Sequence, residues 1–493
     1  MRVENNKSFF KFYKRTKSNL CPMRKTLQLT TVLFAFLGFV NLSAGEVILT
    51  GTAPGYKGDK LTFYTYKDLI TYQEEELGSG IVDTTGKFEI HFAIDHTAFV
   101  YSHLGQYKAY LYAEPGKKYE IILPAKTEKS KSDELNPYFE EQAFHLGIDN
   151  LDDNQLNLYI VMFDDMFTPY MNKFAYDIYK KNTDEEINEA VSALTTPFKD
   201  IKNEYFNHYM NYNIGMLKHL AYQLKSKNIS NNYFLDKPIL HNNVAYMELF
   251  NQVYDRYFMF FSKTDEGKQL FMDINENKSY TDLKKTLGKD NVFSSDSLLE
   301  LVILKNLYDE FYSDKFSRSA LLEILEQLEE NTRIAYHAKI AANIQNNITK
   351  LLAGYSPPSF ELYNRDSMLL SLDEFKGKYV YLVFCNCVSY SCIKEYQMLK
   401  TLYEKHGDYL EIVTIAVEQD FQLMKDFLKR YNYEWPFLNY RNQPDVMTKY
   451  DIRAFPTYFL IDPDGKLLLS PAPSPGENFE MKFFKIMRER GDI

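Results

Sequence analysis

The chain has 493 residues, 45% of them hydrophobic, and a formal net charge of -10, which suits roughly two to four domains with full cores and excludes a disordered tail. No stripe of Lys and Arg interleaved with aromatics follows the N-terminus, which argues against nucleic acid as a partner. The 40 Tyr and 37 Phe are spread along the chain beside one Trp, so they read as core and half-exposed helix faces rather than as a ligand box.

At the start, Arg2, Lys7, Lys11, Lys14, Arg15, Lys17, Arg24 and Lys25 precede an apolar run from Leu27 to Val40 and then the small residues Ser43, Ala44 and Gly45. This is the layout of a secretory signal peptide over residues 1–44, cleaved near Ala44; the apolar run, at about fourteen residues, is short of the roughly twenty that a membrane span needs. The stretch before Met23 is long for a charged leader, so a start at Met23 is an alternative, as is an uncleaved anchor. Cys21 lies ahead of the apolar run, unlike a lipid-modified cysteine, and is lost with the leader. Export to the periplasm or cell envelope allows disulfides.

Residues 45–130 carry short alternating runs, Val47–Thr50, Lys60–Tyr66, Lys87–Ala93, Lys108–Tyr112 and Tyr119–Leu123, with turns at Asp83-Thr-Thr-Gly86 and Glu114-Pro-Gly116. They predict a small antiparallel β-sandwich-like domain. His91, His96 and His103 read as ordinary strand and loop histidines, because a metal site would need them to converge. Over residues 135–352 the period becomes helical: Leu156, Ile160, Phe163 and Phe167 share one face, Ile201, Tyr205, Tyr209, Tyr212 and Met216 another, and Leu321, Leu325 and Leu328 a third. An all-α middle domain is expected, its aromatic stripes packing helix on helix.

Gly354-Tyr-Ser-Pro-Pro358 is a linker, since the two prolines cannot continue a helix. Residues 354–493 then alternate: Ser359–Leu362 as a strand, Tyr379–Phe384 as an apolar strand, a helix from Cys392 through Tyr396, Leu399 and Leu402, a strand Tyr409–Val417, and a helix bearing Met424, Leu428 and Tyr431. Ile452–Ile461 is a further strand, Asp462-Pro-Asp-Gly465 a hairpin turn, and Phe479, Phe483 and Ile486 mark a closing helix. This order predicts a mixed α/β sheet. Three of the four cysteines, Cys385, Cys387 and Cys392, fall on the turn after the apolar strand and on the first helical turn, where N–H groups and the helix dipole favour a thiolate. Such clustering points to a site rather than to a scaffold of disulfides.

From Phe384 the chain reads Phe-Cys-Asn-Cys-Val-Ser-Tyr-Ser-Cys-Ile-Lys-Glu, and from Phe455 it reads Phe-Pro-Thr-Tyr-Phe-Leu-Ile-Asp-Pro-Asp-Gly. With these stretches the C-terminal part resembles the thioredoxin-like domain of TlpA/ResA-type, AhpC/TSA-related envelope thiol-disulfide oxidoreductases, whose motifs are F-W-A-x-W-C-x-x-C-x-x-E and P-T-x-F-x-I-D-x-x-G. The resemblance places Cys392 on the resolving cysteine, Glu395 on the following glutamate and Ser389 on the nucleophile, giving SxxC in place of CxxC. It implies a cis bond before Pro456 and a client-binding edge at Phe455, Pro456 and Thr457 that pairs with an extended segment. The preceding β-domain likewise resembles a module found ahead of such domains in envelope proteins, one without chemistry of its own.

A serine hydroxyl cannot enter a thiol-disulfide cycle. Three readings follow. In the first, the chain is a thiol-disulfide oxidoreductase with an altered site in which Cys387 replaces the missing partner of Cys392, while Cys385, at the strand end, is a buried and inert thiol. In the second it is a redox-inactive thioredoxin-fold protein that binds peptides or partner proteins at the Pro456 edge. In the third the three thiols hold a soft ion such as Cu(I); a purely structural cluster is the bland alternative. No resident cofactor or metal is expected. The partners implied are protein or peptide thiols and disulfides, with a membrane electron donor.

Overall fold

The computed structural model describes residues 44–493 apart from 131–132, 134–135, 137–138, 152–154, 177–182, 222–224 and 419. The expected leader, with Cys21 and Met23, lies outside the described residues but for Ala44.

The first alternating runs become strands β1 (Gly45–Thr52), β2 (Lys60–Tyr66), β3 (Glu74–Ile81), β4 (Lys87–Ile94), β5 (Ala98–Leu104), β6 (Tyr107–Ala113), β7 (Lys118–Ile122), β8 (Gln142–His145) and β9 (Gly147–Ile148). They form two sheets, β4-β1-β7-β9 and β3-β2-β5-β6-β8. β4 shows why: Phe88, Ile90, Phe92 and Ile94 point inward while the residues between them face solvent, the two-residue period of a half-buried strand. Two strands within residues 45–130 escaped the sequence reading for opposite reasons. β3 is an exposed, glutamate-rich edge, and β5 is buried on nearly every residue, so neither alternates clearly. The sheets are not purely antiparallel, since β7 runs parallel to β1 and β8 parallel to β6. β8 and β9 cover the edges of β6 and β7, carrying the β region past residue 130 to Ile148, and the first long helix starts at Gln155 rather than near 135.

The helical region holds α1 (Gln155–Tyr176), α2 (Asp184–Thr195), α3 (Glu204–Leu220), α4 (Ser226–Tyr233), α5 (Val244–Val253), α6 (Tyr257–Phe261), α7 (Leu270–Asn275), α8 (Tyr280–Leu287), α9 (Asp296–Asp309), α10 (Arg318–Asn331) and α11 (Ala335–Thr349). The stripes named above are its interior: Leu156, Ile160 and Phe163 on α1, Tyr209 and Tyr212 on α3, and Leu321, Leu325 and Leu328 on α10 are all buried. This core also takes in Leu69, Ile70 and Tyr112 of the β region. The Asn157 amide satisfies both backbone groups of Tyr112 at 2.8 Å, and the Asn343 amide donates to Asp68 at 2.8 Å. The two parts expected as separate domains therefore share an interior. Within it, the carboxylate of Glu300 accepts from Tyr280 (2.9 Å), Lys284 (3.0 Å), Thr332 (2.8 Å) and His337 Nδ1 (3.1 Å).

After the linker, whose Gly354 N–H donates to Leu467 O and whose Tyr355 O accepts from Leu467 N, come β10 (Glu361–Asn364), β11 (Leu369–Ser371), β12 (Tyr379–Cys385), α12 (Tyr390–His406), β13 (Leu410–Ala416), α13 (Phe421–Tyr431), β14 (Phe437–Asn439), α14 (Val446–Lys449), β15 (Thr457–Ile461), β16 (Leu467–Leu469) and α15 (Phe479–Arg490). The sheet order is β11-β10-β14-β13-β12-β15-β16, with β12 parallel to β13 and antiparallel to β15. β12 is buried at every residue because both faces are covered, which explains its unbroken apolar run. Tyr379, Tyr381, Val383 and Cys385 face the core shared with α12 and α15, whereas Val380, Leu382 and Phe384 face the opposite one. In the β15–β16 hairpin, Gly465 takes a φ of 82°, the left-handed region that a side chain would disfavour.

Candidate functional site

Strand β12 delivers Cys385 to the edge of the domain, and the turn Asn386-Cys-Val-Ser389 leads into α12. The Asn386 side chain builds that turn: its Oδ1 accepts from Val388 N (2.8 Å) and Ser389 N (3.0 Å), and its Nδ2 donates to Val417 O (3.1 Å). On the first turn of α12, Cys392 points back beneath it.

Cys385 and Cys392 are joined in a disulfide, with Cα atoms 5.8 Å apart. The pairing expected from the sequence, Cys387 with Cys392, is not the one formed, and Cys385 is not an inert thiol. The cause is where the strand ends. Cys385 is the last residue of β12, on the face packed against α12, and meets Cys392 from inside the sheet, whereas Cys387, although of the same parity, falls beyond the strand in the turn. Cys387 is instead held by its own backbone, whose N–H donates to the buried carboxylate of Glu418 at 2.6 Å. Its thiol is free and buried, and burial, with the nearby Glu418 charge, pushes its pKa well up. All three sulfur-bearing residues are at most 2% exposed, while Val388 and Tyr390 on the covering turn are 62% and 84% exposed. The Asn386 N–H donates to Cys392 Sγ at 3.2 Å.

Ser389, on the position implied for the nucleophile, is the residue ahead of α12. Its Oγ lies 2.9 Å from Ser391 Oγ, and among the described residues no histidine or carboxylate is hydrogen-bonded to it to act as a base. On the neighbouring strand, the Phe455–Pro456 bond is cis. Thr457 pairs with Phe384 across β15 and β12, so one step further the register leads to Pro456 beside Cys385. The Thr457 hydroxyl donates to Ala454 O at 2.7 Å. Glu395, one turn into α12, accepts from the Tyr458 hydroxyl at 3.1 Å; burial raises its carboxyl pKa above the usual range even though that hydroxyl pulls it down.

The site lies within residues that known proteins match. Residues 353–469 match the AhpC/TSA family. The thiol-disulfide oxidoreductase ResA of Bacillus thuringiensis subsp. konkukian (strain 97-27) is 29% identical over 120 residues, 24% of this chain and 69% of that protein. ResA of Bacillus subtilis (strain 168) is 31% identical over 117 residues, 23% of this chain and 64% of the relative. Among solved structures, a thiol-disulfide oxidoreductase from Bacteroides fragilis NCTC 9343 is similar at 21% identity, over 26% of this chain and 98% of that one, with a TM-score of 0.24. The sequence matches thus give the C-terminal part homologues among the thiol-disulfide oxidoreductases, in keeping with a thioredoxin-like fold.

Asn386, Glu418 and Tyr458 were missed by sequence reasoning. Asn386 carried a usable signal, an Asn three residues before a helix cap. Glu418 had none, because only the parallel pairing of Cys385 with Ala416 brings the end of β13 to the turn. The three histidines of the β region stay apart: His91 contacts Glu46 and Glu89, His96 contacts Asp95, and His103 contacts Glu74 and Glu141. Among the described residues no cluster of three His, Cys, Asp or Glu side chains could hold a metal ion. The Cu(I) reading needed three thiolates, and two of the sulfurs are spent on the disulfide. No helix among the described residues is long and apolar enough to cross a membrane.

Proposed function

We propose that the chain is an exported thioredoxin-like protein of the cell envelope that performs thiol-disulfide exchange with protein clients, and that its working pair is Cys385 and Cys392. The observation that carries this reading is the disulfide between the end of β12 and the first turn of α12, beside cis-Pro456, in a domain whose relatives are thiol-disulfide oxidoreductases. A client thiolate attacks Cys385 Sγ, forming a mixed disulfide and breaking the Cys385–Cys392 bond. Cys392 leaves as the thiolate because the Asn386 N–H stabilises charge on its sulfur. A second client thiolate then attacks its own sulfur in the mixed disulfide, leaving with the new bond while Cys385 departs and takes a proton. The client is oxidised by two electrons and the pair reduced. In this direction a membrane electron acceptor reoxidises the pair; in the reverse direction, where the reduced pair opens a client disulfide, a membrane electron donor reduces it again.

Since both sulfurs are buried, attack requires the Val388–Ser391 turn to swing aside, and that burial favours the second reading, a redox-inactive fold that only holds extended segments. Turnover of a dithiol peptide by the oxidised full chain, lost in Cys385→Ala and Cys392→Ala but kept in Cys387→Ala, supports exchange. Turnover that is absent in the parent chain, with peptide binding intact, supports the redox-inactive reading.

A further inference from the structure

A cleft of about 1220 Å³ opens between the helical region and the thioredoxin-like domain. Pro456, Thr457, Tyr458 and Glu395 line it from the thioredoxin-like side; Arg318, at the start of α10, and Lys350, at the end of α11, line it from the helical side. Its volume exceeds the roughly 300–1,000 Å³ of a small-molecule pocket, which suits a length of polypeptide better than a metabolite.

The cleft holds three basic and three acidic side chains, but they pair unevenly. Arg453 pairs with Asp451 at 2.9 Å, while Glu395 accepts from the Tyr458 hydroxyl and Glu477 from Ser474 N at 3.0 Å, both neutral donors. Arg318 lies over the rings of Phe311 and Tyr312, 5.8 and 5.2 Å from their centres. Among the described residues neither Arg318 nor Lys350 has a carboxylate at ion-pair distance, and Lys350 is half-buried. Lys350 is attracted by Asp451 from beyond ion-pair distance, and Asp451 is itself paired with Arg453; a ligand carboxylate at hydrogen-bond distance would offset the desolvation of this ammonium through a charge-assisted hydrogen bond.

We propose that the helical region selects the client: an extended segment lies along the Pro456 edge and continues into the cleft, where Arg318 and Lys350 recognise its Asp or Glu side chains. This rests on the reading of the Pro456 edge as a client-binding strand. The test uses short fluorescein-labelled peptides without cysteine, one bearing two Glu and one with Gln in the same places, titrated by anisotropy against the full chain. The Glu peptide should bind about tenfold more tightly, the scale of one charged hydrogen bond. Lys350→Gln and Arg318→Gln should each reduce that preference, and Lys350→Arg should keep it. Equal affinity for the two peptides, no binding of either, or a preference undiminished in the double Gln variant would overturn the proposal. Because these peptides carry no thiol, a preference kept in a chain that does not exchange disulfides overturns the redox reading alone. Exchange without any preference overturns only the selection by Arg318 and Lys350.

Discussion

Replacing Cys392 by alanine tests the pairing that separates this site from its sequence-level reading. The Cys385–Cys392 bond closes a loop with a sequence separation of 7, and the chain-entropy relation for such a loop gives about 2.4 kcal/mol of stabilisation at 25 °C. Removing a buried sulfur costs about 1 kcal/mol in packing whether or not it was bonded, and Cys387→Ala measures that part alone. Without reductant, Cys392→Ala should therefore lie about 2.4 kcal/mol below Cys387→Ala, a shift of roughly 1 M in urea midpoint. In dithiothreitol the gap should close. The assay is equilibrium urea unfolding followed by the fluorescence of Trp435, the one tryptophan of the chain, which is 1% exposed in the core under β12 and α12. If Cys392→Ala is no less stable than Cys387→Ala under oxidising conditions, or if the Cys387 variant is the one that loses its response to dithiothreitol, the Cys385–Cys392 assignment is wrong.

Three further outcomes are expected. Glu300→Leu strands His337 inside the helical region and leaves Lys284 with the exposed Asp296 alone as its carboxylate partner among the described residues, and should cost about 3–5 kcal/mol, read as a lower Tm by far-UV circular dichroism; an unchanged Tm would show that the network contributes no net stability. Stability should also fall with acid in two stages. Burial, then the neighbouring His337, lowers His241 from 6.5 to about 4, so the unfolded chain binds that proton first and stability declines as the pH drops from about 6.5. For Glu300, burial alone would raise the pKa, but donations from His337, Thr332, Lys284 and Tyr280 outweigh it and hold the carboxyl at about 2. Its stabilisation is therefore present above about 4.5 and lost as pH falls towards 2, and a flat stability profile between pH 7 and 4 would contradict this account. Finally, Tyr458→Phe removes the hydroxyl that donates to Glu395 and should raise the Glu395 titration midpoint further, measured by carbon-detected NMR of the glutamate carboxyls; a lowered midpoint would mean that the hydroxyl does not favour the ionised form.

Local period was enough to separate the β, helical and α/β parts, because burial on one face imposes a two-residue repeat on strands such as β4 and a helical repeat on α1, α3 and α10. The flanks of Cys392 and Pro456 pointed to the candidate site for the same kind of reason: an apolar strand, a tight turn and a helix start are written in adjacent residues. Pairing partners are not. β5 and β12, covered on both faces, lose their alternation, and β8 and β9 exist because β6 and β7 offered open edges to the chain that follows them. The union of Cys385 with Cys392, the capture of the Cys387 N–H by Glu418, and the cleft between Lys350 and Pro456 each depend on contacts between elements distant in the chain. The end of β12 decided the disulfide: Cys385 is the last residue of the strand, on the face packed against the helix, whereas Cys387, two residues on and of the same parity, already lies in the turn with its N–H held by Glu418.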